Sequence, residues 1–195
     1  MEEKEVISTY RTDAAADSHF MGSVSIKLPG TLTVENQPAP GQSVSFRVDW
    51  IQGVGVRPVA ITVASLKGEE ITSTDLRAVK AKNLWRAAIV NHATYHRLVF
   101  FEKEDGDLEL PAMGPVQFRD ELLEKLRLKG PVKETLEYVT DLYMFADTLG
   151  LAPALYVQEV FAGENLEPLP RTTATKWIKR ARDMGLFEGY FDGDD

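Results

Sequence analysis

From Val24 to Val63 apolar side chains return at every second position: Val24, Ile26 and Leu28, then Leu32 and Val34, then Val44, Phe46, Val48 and Trp50, then Val59, Ile61 and Val63. A period of two places one set of side chains on a single face of an extended chain, so this stretch predicts half-buried antiparallel strands. Pro29-Gly30, the stretch Pro38 to Gly41, and Gly53 and Gly55 are expected to supply the turns, with a further break at Lys67-Gly68. Ser73 to Val79 reads as a short helix. Lys82 to Arg97 reads as a longer one, with Leu84, Ala87, Ala88 and Ala93 on a shared face. The segment LVFFEKEDGDLEL fits a hairpin turning at Asp105-Gly106, or a charged loop.

The period changes after Pro115. Helices are predicted over residues 116–128 and 133–149, separated by Gly130-Pro131, with Leu136, Val139, Leu142, Tyr143 and Ala146 on one side of the second. Gly150 ends that helix, Pro153 opens another over residues 154–161, and a last helix runs through residues 171–184. The expected fold class is therefore α+β. An antiparallel, strand-rich domain with one or two helices covers residues 1–114, an all-α domain covers 115–187, and 188–195 is an acidic tail.

Charge points to where function lies. The chain carries -8 overall, which argues against a protein that coats nucleic acid along its whole surface, since phosphate contacts need lysine and arginine. Yet residues 171 to 182 hold Arg171, Lys176, Lys179, Arg180 and Arg182 and no acid. At about 100° per residue, Ala174, Trp177, Ile178, Ala181 and Met184 form one stripe, which is core. The opposite side presents Thr172, Thr175, Lys176 and Lys179, flanked by Thr173 and Arg180. Such a face reaches phosphates and base edges in a major groove, with Arg171, Lys176, Lys179 and Arg180 as cations and Thr172, Thr173 and Thr175 as hydrogen-bonding groups. Thr172 or Thr173 is expected to cap the helix start, and Gly185 to close its end with Leu186 packing back.

A short helix, a turn and an amphipathic basic helix behind a longer scaffold helix make up the helix-turn-helix arrangement. Here the chain resembles a group of uncharacterised actinobacterial and actinophage proteins whose C-terminal segment is taken to be a helix-turn-helix. The likeness in the first two helices rests on Val139, Leu142, Tyr143, Ala146, Gly150, Pro153, Val157 and Glu159. In the last helix it rests on Arg171, Thr173, Ala174, Trp177, Ile178, Arg180, Ala181, Arg182, Gly185 and Leu186, and a weaker likeness covers ITSTDLRAVKAKNLWRAAI at residues 71–89. The resemblance implies DNA binding without naming a site or a gene. In one respect the chain departs from the group, which joins the two helices by a short turn where this sequence places Gly163 to Leu169. A longer turn can splay the last helix, and Glu164 and Glu167 within it repel phosphate.

Other chemistry finds little support. There is no cysteine, so disulfides, thiolate metal sites and cysteine nucleophiles are excluded. His92 and His96 stand four apart, at the spacing of two zinc ligands on one helical face, but no glutamate lies between them and His19 is the only other histidine. Packing or surface roles are expected for all three. Glu102, Glu104, Asp105 and Asp107 read as a solvated charge run, Gly53 and Gly55 as a turn and not a phosphate loop, and Trp50, Trp85 and Trp177 as packing residues. No catalytic residue, metal or cofactor is assigned, and the chain is not expected to be an enzyme. The N-terminus has acids where an export signal carries lysines, and no run approaches the roughly 20 apolar residues of a membrane span. The expectation is a cytoplasmic transcriptional regulator of a bacterium or phage that binds double-stranded DNA, as a homodimer because one helix reads only a few base pairs. The competing expectation is a structural or adaptor protein that uses the same helix pair to bind protein.

Overall fold

The computed structural model describes residues 8–21, 24–90, 92–95, 101–102, 108–109, 120–162 and 167–188. The chain is α+β and divides into two compact units, residues 1–19 with 25–94, and residues 20–24 with 95–195. The expected boundary at Gly114-Pro115 lies outside the described residues.

The first unit is a sheet of order β1 (Ser8–Met21), β2 (Val24–Glu35), β3 (Gln42–Ile51) and β4 (Gly55–Ser65), and the two-residue strand β5 (Thr94–Tyr95) also pairs with β2. Its register follows the period-two pattern. Leu32 lies opposite Phe46 and Val34 opposite Val44 across β2 and β3, and Val44 in turn faces Val63 across β3 and β4. Leu32, Val34, Val44, Phe46 and Val48 are wholly buried. A one-residue slip would turn all five to the other face, at a cost on the order of 10 kcal/mol, which is comparable to the whole stability of a domain.

Two expectations change in this unit. Pro29-Gly30 is not a turn: β2 runs through it unbroken, with Gly30 buried and extended opposite Val48. The buried positions 24, 26, 28, 30, 32 and 34 keep one parity, which a turn would have interrupted. Gly30 fits because a β-carbon there would lie 2.9 Å from Cε2 of Tyr10, whose hydroxyl donates to the carbonyl of Lys27. The second change is β1 itself, a strand without an apolar alternation to announce it; Asp13 on it pairs with Arg47 of β3 at 2.7 Å.

After the sheet come α1 (Ser73–Ala78) and α2 (Ala81–Val90). Thr72 caps α1 in a reciprocal box, its hydroxyl oxygen accepting from the Asp75 N–H while the Asp75 carboxylate accepts from the Thr72 N–H at 2.8 Å. The predicted helix to Arg97 stops at Val90, and its buried face is Trp85, Ala88 and Ile89, whereas Ala87 is exposed. The large Trp85 and Ile89 side chains set the inward direction, and Ala93 is buried in the turn beyond the helix.

In the second unit Phe101–Glu102 (β6) pairs antiparallel with Leu108–Glu109 (β7), and the expected turn between them falls outside the described residues, as do residues 116–119 of the predicted helix. Among the described residues four helices follow: α3 (Asp120–Lys129), α4 (Lys133–Thr148), α5 (Pro153–Val160) and α6 (Arg171–Asp183). Ten of the 16 residues of α4 are buried, so it is the scaffold on which the others pack. Leu126, Leu136, Val139, Leu142, Val157 and Trp177 belong to one continuous core. Both glycines predicted to end helices do so in the left-handed region, Gly150 at φ 64° and Gly185 at φ 73°. In each case the following N–H reaches back, Leu151 to Ala146 O at 2.8 Å and Leu186 to Ala181 O at 3.1 Å, which satisfies carbonyls the helix leaves open.

Candidate functional site

α6 presents two chemically distinct faces. Ala174, Trp177, Ile178 and Ala181 are buried, and the Trp177 ring stands edge-on to Phe161 with centroids 5.6 Å apart. Arg171, Thr172, Thr175, Lys176, Lys179 and Arg180 are exposed and Thr173 is half-buried, so the seven singled-out residues fall on or beside one solvent-facing surface. Among the described residues no carboxylate pairs with Arg171, Lys176, Lys179 or Arg180. Arg182 differs from these four: its guanidinium lies 5.8 Å from the ring of Phe187.

Two local expectations are corrected. The helix is capped by Pro170, with no side-chain hydrogen bond, and neither Thr172 nor Thr173 serves as the cap; both fall in its first turn. Pro170 presets a φ compatible with helix entry, and its carbonyl accepts from the Thr173 and Ala174 N–H groups at 2.8 and 3.1 Å. No side chain caps the Arg171 and Thr172 amides, which stand at the positive end of the helix dipole. The Thr175 hydroxyl donates to the Arg171 carbonyl at 2.8 Å, so its oxygen is left as an acceptor. Met184 is 45% exposed and not part of the buried stripe, because the helix ends at Asp183 and Gly185 redirects the chain, bringing Leu186 and Phe187 onto the core instead.

The long connection between α5 and α6 is tied at both feet. Nη1 of Arg127, in the last turn of α3, donates to the Phe161 carbonyl at 3.2 Å and also to the Glu167 carbonyl. Leu169 is buried, and its N–H reaches the Gln158 carbonyl at 3.3 Å. Residues 163–166, with Glu164, lie outside the described residues; Glu167 is exposed. Sequence reasoning missed Arg127, which carries no signal beyond being a cation near a helix C-terminus.

The remaining candidates are placed separately. His92 lies in a turn past the end of α2 and not on the predicted helix, and His96 is outside the described residues. The His92 Nε2 is 3.1 Å from the Ser8 hydroxyl, its ring lies 5.7 Å from that of Tyr10, and burial lowers its pKa. His19 stacks on the half-buried Trp50 at 5.1 Å, and Trp85 is core. Burial, then Asp13 and Asp49, push the Tyr10 hydroxyl up to about 12, so it stays protonated as the donor to Lys27. Among the described residues no group of three His, Asp or Glu side chains can hold a metal ion, and no helix is long and apolar enough to cross a membrane. The side chains of the charge run at 102–107 are not among those described.

No protein-family model, curated protein or solved structure matches this chain.

Proposed function

We propose that the chain binds double-stranded DNA, with α5 and α6 as a helix-turn-helix and α6 as the helix that enters the major groove. The observation that carries this reading is the pairing of opposites on α6: four cations without a carboxylate partner among the described residues, on a helix whose other face is anchored in a core. Thirteen residues make a rod about 20 Å long, which a groove about 12 Å wide admits. Lys176, Lys179 and Arg180 would meet phosphates and base edges along the rod. Arg171 and the uncapped amides would meet a phosphate at its start, with Thr172, Thr173 and Thr175 as short hydrogen-bonding groups. The chain carries -8 overall even with these cations counted, which confines approach to this face, as suits a regulator that engages one site and not the DNA at large. The reading places the protein in the cytoplasm of a bacterium or in a phage-infected cell, acting on transcription.

Binding to random double-stranded DNA, titrated at 50 and 200 mM salt, tests it. Four displaced counterions give a slope near -3.6 in log affinity against log salt, a loss of roughly a hundredfold between the two conditions. The variant with Lys176, Lys179 and Arg180 changed to alanine is expected to lose most of this binding while keeping its fold. Absence of binding even at low salt would reject the proposal in favour of an adaptor that uses the same surface for protein, which the acidic total and exposed Glu167 would then explain.

A further inference from the structure

Among the described residues β4 pairs only with β3, so it is an edge of the sheet. Exposed edges are sites of unwanted pairing, and soluble proteins blunt them with charge, proline or bulges. Only the first half of β4 is blunted. It holds Arg57, then Pro58 opposite Val48, then Val59 as the extra residue of a bulge where the register shifts between Arg47 and Val48. The second half has none of these devices. From Val59 to Leu66 the sequence VAITVASL is without charge, glycine or proline, with Ile61 49% and Leu66 58% exposed.

Its free backbone groups have a definite parity. Leu66 donates its N–H to the Gly41 carbonyl at 2.8 Å, continuing the register in which Ser65 faces Gln42. Successive residues of an antiparallel ladder point alternately toward and away from the neighbouring strand. Ala64 and Thr62 thus turn their N–H and C=O toward β3, while Ser65, Val63 and Ile61 turn theirs outward. The regular stretch of residues 60–66 is centred on Val63, one of the outward-facing residues.

We infer that this edge is the surface on which two copies of the chain pair, antiparallel, with Val63 of one opposite Val63 of the other. In that register Ile61 lies opposite Ser65, Thr62 opposite Ala64 and Ala60 opposite Leu66, so no like charges are opposed. Charge selects the same arrangement. β4 enters from an end bearing Arg57 and leaves toward Glu69 and Glu70. Antiparallel pairing brings the acidic end of each copy to the basic end of the other. Lys67, the one cation at the acidic end, has its side chain against Gly41 of its own copy. Two copies carrying -8 each find here a strand free of acids. The pairing would also give the proposed DNA reader its two half-sites, but it does not rest on that reading.

The test measures mass in the absence of DNA, so its failure and the failure of DNA binding are separately visible. The full chain is expected to shift with concentration from 21.8 kDa toward twice that mass in sedimentation. Val63→Pro removes an outward N–H while leaving the bonds to β3 intact, and is expected to weaken dimerisation by about tenfold or more, since symmetry removes two hydrogen bonds. Val63→Cys gives a readout that does not depend on tolerance of proline. The chain has no cysteine, and a hydrogen-bonded antiparallel pair holds its α-carbons about 5.5 Å apart, within disulfide range. Mild oxidation should link Val63→Cys into dimers and leave Val54→Cys, in the β3–β4 turn, unlinked. A chain that stays monomeric at every concentration, or a dimer that Val63→Pro leaves unchanged and Val63→Cys does not capture, overturns the inference.

Discussion

The guanidinium of Arg127 donates to the carbonyl oxygen of Glu167, 40 residues away, and the same Nη1 also meets the carbonyl of Phe161. One side chain of α3 therefore closes the connection that precedes α6, and the length of the loop beyond those feet matters little to where α6 starts. Closing a longer loop costs only about 0.6 kcal/mol per doubling of its length.

Arg127→Met keeps the aliphatic stem and removes both bonds. Hydrogen bonds from a charged donor contribute about 1.5 to 3 kcal/mol each when buried, and this site is only part-buried, so a loss of about 1 to 3 kcal/mol is expected. Thermal unfolding measures it. Lys129→Met breaks only the exposed ion pair to Glu134 and should cost under about 1 kcal/mol. Equal effects from the two would mean that Arg127 does not hold the connection.

Gly150 and Gly185 both adopt positive φ at helix ends. Alanine at either is expected to cost about 1 to 2 kcal/mol, from the clash of its β-carbon with the following carbonyl. At Gly185 the new β-carbon also meets Glu188, whose flexible end can move aside. Asparagine at either position should recover part of the loss, because it tolerates the left-handed region. Denaturant titration that finds alanine neutral would place these glycines elsewhere in conformational space.

Trp177→Ala empties the contact between α6 and Phe161 and is expected to cost about 3 to 5 kcal/mol. Met184→Ala, one turn past the helix's buried stripe, should stay within about 0.5 kcal/mol. Chemical denaturation of the two variants decides whether the stripe ends at Ala181, as the Gly185 reversal implies, or continues to Met184.

Burial lowers the pKa of His92 below the ordinary 6.5. The unfolded chain then binds a proton more readily than the folded one, so this residue's contribution is fully present above pH 6.5 and is lost as pH falls from 6.5 through the lower folded value. Unfolding midpoints measured between pH 8 and 5 should decline through that window. The decline should be shallower in His92→Gln, which stays neutral; an identical decline in both would assign the effect to other groups.

Much of this was legible because it depends on neighbours in sequence. The two-residue period set β2, β3 and β4; the helical period and the glycines set α4 and α6; the basic run without acids marked the α6 face. Where reading failed, a distant residue had decided. Gly30 reads as a turn until Tyr10 is seen above it, and α2 turns Trp85 and Ile89 inward although its alanines fit another face equally well. β1 has no alternation, because its place is fixed by pairing with β2 and by contacts such as Asp13 with Arg47.

By itself, then, the sequence determined which residues could share a face, since strand and helix periods are fixed by backbone geometry over a few residues. Tertiary structure alone decided which faces stay open. That, among the described residues, Arg171, Lys176, Lys179 and Arg180 of α6 have no carboxylate partner, that Arg127 ties the connection before α6, and that β4 ends the sheet with outward amides at Ile61 and Val63, depend on partners brought from far along the chain. No local period encodes such a meeting, because it follows from how the elements pack and not from how each one forms.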